Sequence, residues 1–121
     1  MSNQTAIIID DSSLARMMVR KIFATSMADW TLLEAANGDE ALALMADKSV
    51  DLALVDFNMP GMNGIDLAER MMETAPSMSI HLVTANIQER MRIRAESMGL
   101  GFIKKPINAA KVAEIMKHIG H

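Results

Sequence analysis

Leu52–Ala53–Leu54–Val55 is a run of four apolar residues with no polar residue interleaved. A strand with one wet face alternates apolar and polar residues. One that does not alternate is buried on both faces, the condition of strands in a parallel sheet sandwiched between helices. The run meets a carboxylate at Asp56 and is broken at Pro60, Gly61 and Gly64. Asp56 therefore stands at the carboxyl end of its strand, where open α/β sheets place their chemistry. An aspartate at such a point also serves simply to cap a turn. What separates the two readings is what the other strands bring to the same edge.

Four more short apolar runs alternate with amphipathic stretches. Thr5–Ile9 is β-branched and ends in Asp10 and Asp11, the pattern of a central strand. Ser12 and Ser13 offer an N-cap to a helix with Leu14, Met17, Met18 and Ile22 at helical spacing, ending near Ser26–Asp29. Trp30–Ala35 reads as a second strand. After the Asn37–Gly38 turn, Asp39 and Glu40 suit the first turn of a helix carrying Ala41, Leu42 and Met45. Gly64–Ala75 reads as a helix stopped by Pro76. Ser79–Val83 gives a fourth strand, leading to Thr84, Ala85 and Asn86. Ile87, Met91, Ala95 and Met98 then line one side of a helix closed by Gly99. Gly101–Lys104 is a fifth strand, followed by Lys105–Pro106. Asn108 is positioned to cap a last helix with Val112, Ile115, Met116 and Ile119 on one face. Strict alternation of five strands and five helices implies a doubly wound α/β fold, a parallel sheet with right-handed crossovers and helices on both faces.

Composition narrows the function. The 121 residues suit one domain, 1–121, and half of them are apolar. A net charge of −3 gives no nucleic-acid footprint. The sequence has no cysteine, which removes disulfides, thiolate metal sites and thiol catalysis. No apolar run reaches membrane-spanning length, and the first residues lack a charged segment followed by an apolar one, so no membrane insertion and a cytoplasmic setting are expected. Thirteen methionines beside three phenylalanines and one tryptophan suggest thioethers filling core gaps, with an adaptable binding surface as the alternative.

Laid side by side, the strand tips collect Asp10, Asp11, Asp56, Thr84 and Lys105. Three crowded carboxylates repel one another unless a cation intervenes. Oxygen ligands without His or Cys suit a hard ion such as Mg²⁺. A carboxylate nucleophile, Mg²⁺, a lysine and a hydroxyl together describe a phosphoryl-transfer site. Each residue alone reads more readily as a solvated loop group, but that reading would have to hold at four separate strand tips together.

The motifs IIIDDS, VDFNMPGMNG, LVTAN and FIKKP resemble those of response-regulator receiver domains of bacterial two-component systems, most nearly the stand-alone chemotaxis type. The resemblance spans essentially the whole chain. It implies a flavodoxin-like five-stranded sheet in the order 2-1-3-4-5. It also implies that Asp56 is the phosphorylated residue and that Asp11 is a direct Mg²⁺ ligand. Asp10 would act through water, and the Asn58 main-chain carbonyl would complete the protein's ligands. Lys105 would pair with the phosphoryl oxygens across a typically cis Lys–Pro bond, and Thr84 would bond the phosphoryl group. Phe102 matches an aromatic that turns inward on activation, and Asn58 and Asn86 match positions that tune phosphoryl lifetime. The partners implied are a histidine kinase or phosphotransfer protein and a downstream protein target. The activity implied is that of a signalling domain, not an enzyme with a separate substrate.

Other readings share parts of this pattern. A flavin binder of the same fold needs a glycine- and hydroxyl-rich loop after the first strand, where Asp10 and Asp11 would repel a phosphate. An aspartate-nucleophile phosphatase needs a second Asp two residues beyond the nucleophile, where Asn58 stands. A phosphorylation-independent interaction module, or a receiver excised from a longer regulator, remains compatible. Glu89, Arg92 and Glu96 are spaced to pair along a helix, while Arg90, Arg92 and Arg94 could instead dock an acidic partner. His81 reads as a strand residue more readily than as a phosphate carrier, and His118 and His121 join no constellation.

Overall fold

The computed structural model describes residues 4–59, 63–86 and 88–117. The breaks at Pro60 and Gly61, the stripe residues Ile87 and Ile119, and His118 and His121 lie outside the described residues. Within them the elements are β1 (Thr5–Ile9), α1 (Ser13–Ser26), β2 (Thr31–Ala35), α2 (Gly38–Met45), β3 (Leu52–Asp56), α3 (Gly64–Thr74), β4 (Ser79–Thr84), α4 (Glu89–Ser97), β5 (Gly101–Lys104) and α5 (Ala109–Met116). The strands form one parallel sheet in the order β2-β1-β3-β4-β5.

All five residues of β3 are buried, as its unbroken apolar run requires. Alternate residues feed two cores. Ile7, Ile9, Ala53, Val55, Ile80 and Leu82 meet α2, α3 and α4 on one face. Ala6, Ile8, Leu52, Leu54, Val83 and Ile103 meet α1 and α5 on the other. The strand order reverses between β1 and β3, so their carboxyl ends flank a crevice that no crossover fills.

Side-chain caps start four of the helices. Ser12 accepts from the Ala15 N–H, Asn37 from Glu40, Asn63 from Asp66 and Asn108 from Lys111, each satisfying an amide that lacks a partner in the helix. Gly64 is fixed by space. A Cβ there would lie 2.9 Å from the Phe57 Cα and 3.0 Å from the Asp56 carbonyl oxygen, where the chain doubles back under the tip of β3.

The α1 stripe needs correction. Leu14 and Met18 are 60% and 42% exposed, and Met17 is also exposed, whereas Val19 and Phe23 are buried. Apolar residues occupy both sides of this helix, so periodicity gave the period without the phase. Ile22 does pack against the core. Two strand boundaries also shift by one residue. β2 begins after Trp30, whose ring packs edge-on against Phe23 at 6.3 Å, and β4 runs on to include Thr84. Met27, Met45, Met59, Met71 and Met78 are buried, in keeping with methionine as core filler.

Candidate functional site

Asp56 is the last residue of β3 and only 2% exposed. A carboxylate this deep needs partners. Its Oδ1 lies 3.0 Å from Lys105 Nζ and accepts from the Asn58 N–H at 3.2 Å. Both contacts fall on one oxygen. Lys105 follows directly after β5, its N–H donating to the Thr84 carbonyl at 2.9 Å, and its peptide bond to Pro106 is cis. Lys111 holds this turn from the first turn of α5, donating to the Lys104 and Pro106 carbonyls at 2.7 and 2.9 Å.

Asp10 follows β1 and is buried. Its N–H extends the ladder to the Ala35 carbonyl at 3.0 Å, and its Oδ1 accepts from the Ser12 N–H at 2.9 Å. Burial pushes the Asp10 carboxyl above the usual carboxylate range, and the charges of Asp56 and Asp11 push the same way. The Ser12 amide and Lys105 oppose them. Asp11 beside it is exposed. Carboxylate oxygens of Asp10, Asp11 and Asp56 lie within 4.8 Å of one another. They open on a cavity of about 340 Å³ lined also by Met18, Asn58 and Pro106.

This donor set fits a hard divalent cation. It is all oxygen, it carries three negative charges in one small volume against a single nearby lysine, and a divalent ion is what would relieve that repulsion. Lys105 sits on Asp56, so the uncompensated charge is concentrated on the Asp10–Asp11 side.

Thr84 is buried at the tip of β4. Its hydroxyl donates to the Asn86 carbonyl at 2.9 Å and accepts from the Asn86 N–H at 3.2 Å, so it is tied to the following loop. Phe102 is half-buried against the α4-side core. It borders a cavity of about 230 Å³ together with Thr84, Ala85 and Asn86. Every residue expected at the strand tips thus lies at this edge of the sheet, with the acids and Lys105 lining one cavity and Thr84 and Phe102 another.

Away from the tips, Arg92 pairs with both Glu89 and Glu96, and Arg94 reaches Asp66 on α3 at 3.2 Å. His81 is a half-buried strand residue whose Nε2 lies 2.9 Å from Ser79 Oγ. It covers Gly101, where a Cβ would fall 2.3 Å from its Nδ1. Sequence reasoning missed Arg16. This side chain donates to the Asp10 carbonyl at 2.6 Å and lies 3.5 Å from Glu34.

A doubly wound 2-1-3-4-5 sheet with an acidic trio and a lysine at its switch point is the architecture of a two-component receiver. The chain belongs to the family of response regulator receiver domains, whose sequence profile matches residues 6–117. Among individual proteins it is 33% identical over 114 residues to the chemotaxis protein CheY of Thermotoga maritima, covering 93% of this chain and 94% of that one. It is 32% identical over 122 residues to the phosphate regulon transcriptional regulatory protein PhoB of Pseudomonas aeruginosa, covering 98% of this chain but 52% of the relative. The crystal structure of Vibrio cholerae CheY4 superposes with a TM-score of 0.85 at 25% identity, covering 98% of this chain and all of the other. Among the described residues, no helix is long and apolar enough to cross a membrane.

Proposed function

We propose that this receiver takes a phosphoryl group from a histidine kinase or phosphotransfer protein onto Asp56, with Mg²⁺, and passes the change to a protein target. The observation that carries the reading is the buried Asp56 carboxylate held by Lys105 at 3.0 Å within reach of Asp10 and Asp11. Asp10, Asp11, Asp56 and the Asn58 main-chain carbonyl would hold the ion. When bound, the ion neutralises charge on the transferring group.

Asp56 supplies a carboxylate oxygen that forms the new bond to phosphorus as the donor's bond to phosphorus breaks, the departing electron pair staying with the donor. Lys105 shifts from the carboxylate to the phosphoryl oxygens. Thr84 gives up the Asn86 carbonyl to donate to the same group, and Phe102 turns into the space beside it. The new charge, roughly −1.5 to −2, is thereby read out at α4, β5 and α5. The protein catalyses only its own phosphorylation and dephosphorylation.

Intact-mass measurement after incubation with acetyl phosphate tests this. One added phosphoryl group is expected with Mg²⁺, none with EDTA and none for Asp56→Asn. Equal labelling of the Asn variant would refute it.

A further inference from the structure

We infer that Arg16 is a positioning residue for the acidic pair: it holds the Asp10 main-chain carbonyl and so sets the peptide from which Asp11 hangs, and with it the affinity of the cluster for a divalent cation. The inference rests on the metal reading above. Asp10 is fixed at three points. Its N–H binds the Ala35 carbonyl on β2 and its side chain binds the Ser12 N–H, both main-chain partners. Its carbonyl is held by the Arg16 guanidinium at 2.6 Å, a short, charge-assisted bond. Because the peptide unit is planar, fixing that oxygen fixes the direction in which the chain leaves toward Asp11.

A plain α1–β2 ion pair would be the simpler account of Arg16, but the distances decide against it. Arg20 already forms that link, gripping Glu34 with two bonds of 2.7 and 2.9 Å, whereas Arg16 stands 3.5 Å from the same carboxylate. Its shortest contact is the Asp10 carbonyl. A cation in the first turn of α1 also opposes the helix dipole, so the position has no merit for the helix itself. Glu34 steadies the guanidinium from behind. Its carboxyl is held below the usual range, chiefly by the Arg20 hydrogen bond, so it stays ionised. Arg16 meets the main-chain carbonyl of Asp10, not its carboxylate, so its hold is on the geometry of the peptide.

The test is an NMR titration of the full chain with MgCl₂, following the amides of residues 10–12 and 56–58, alongside metal-free thermal melts. Arg16→Gln should raise the Mg²⁺ Kd about tenfold, as removal of outer-shell partners of metal ligands does. Arg16→Lys should recover part of the loss, since an ammonium can meet the carbonyl but has no second nitrogen to face Glu34 at the same time. Glu34→Gln should give a smaller loss in the same direction. A Kd for Arg16→Gln within about twofold of wild type, whatever its melting temperature, would overturn the inference, because outer-shell removal costs at least tenfold. Should Arg16→Gln not fold, unchanged affinity in both Arg16→Lys and Glu34→Gln would do the same. A wild-type protein with no saturable Mg²⁺ response overturns the metal reading itself, and the inference with it.

Discussion

Replacing Lys105 by Met leaves the Asp56 carboxylate buried beside Asp10 with, among the described residues, the Asn58 amide to support it. Breaking a fully buried pair costs about 3–5 kcal/mol, while an exposed pair is worth about 0–1 kcal/mol. Here Asp56 is 2% exposed and the Lys105 side chain 36%. Solvent therefore screens the lysine end, and a loss of about 2 kcal/mol is expected between those limits. For a chain of 121 residues that lowers Tm by about 8 °C. Asp56→Asn should behave oppositely. It removes one of three mutually repelling charges and leaves a lysine that can turn to water, so stability should hold or rise. The Lys105→Met/Asp56→Asn double variant should then recover most of the loss. Urea melts in EDTA at neutral pH, run as a double-mutant cycle, measure the coupling. A Lys105→Met protein as stable as wild type, or a double variant no better than Lys105→Met, would refute the claim that this pair compensates a buried charge.

Three further outcomes follow from the same geometry. The raised Asp10 carboxyl binds its proton more tightly in the folded than in the unfolded chain. Metal-free stability should therefore fall as pH rises from the ordinary carboxylate range through the folded value, and Asp10→Asn should flatten that slope in melts across this window; an unchanged slope would contradict it. Gly64→Ala places a methyl against two main-chain atoms, the Phe57 Cα and the Asp56 carbonyl oxygen. It should cost about 1–3 kcal/mol in a urea melt, and a neutral result would mean that the β3–α3 loop yields. Phe102 should change its side-chain NMR environment when beryllofluoride and Mg²⁺ are added; identical spectra beside shifts at Asp56 and Thr84 would remove it from the switch.

Much of this site was legible because chemistry at strand tips depends only on where apolar runs end. Asp10, Asp56 and Lys105 each follow or close such a run, and alternation with helices puts all the tips on one edge. The Glu89–Arg92–Glu96 pairing was legible for a similar reason, being set by spacing along a single helix. Arg16 was not. Its partners are the Asp10 carbonyl and Glu34, and seeing them requires knowing that β2 lies beside β1 with α1 packed across both. The Asp66–Arg94 pair, which joins α3 to α4, was hidden in the same way. On α1 the error had a different origin. Leu14, Met17 and Met18 repeat with the helical period as well as Val19 and Phe23 do, and only the packed sheet chooses between those faces.

The proposed transfer places the phosphoryl group on one carboxylate, that of Asp56. Borohydride reduction of the acetyl phosphate-treated protein converts an acyl phosphate to an alcohol, and peptide mass mapping then locates it. Homoserine is expected at position 56 alone, and only when Mg²⁺ is present. Conversion at Asp10, Asp11 or any other acid, with residue 56 still aspartate, would contradict it.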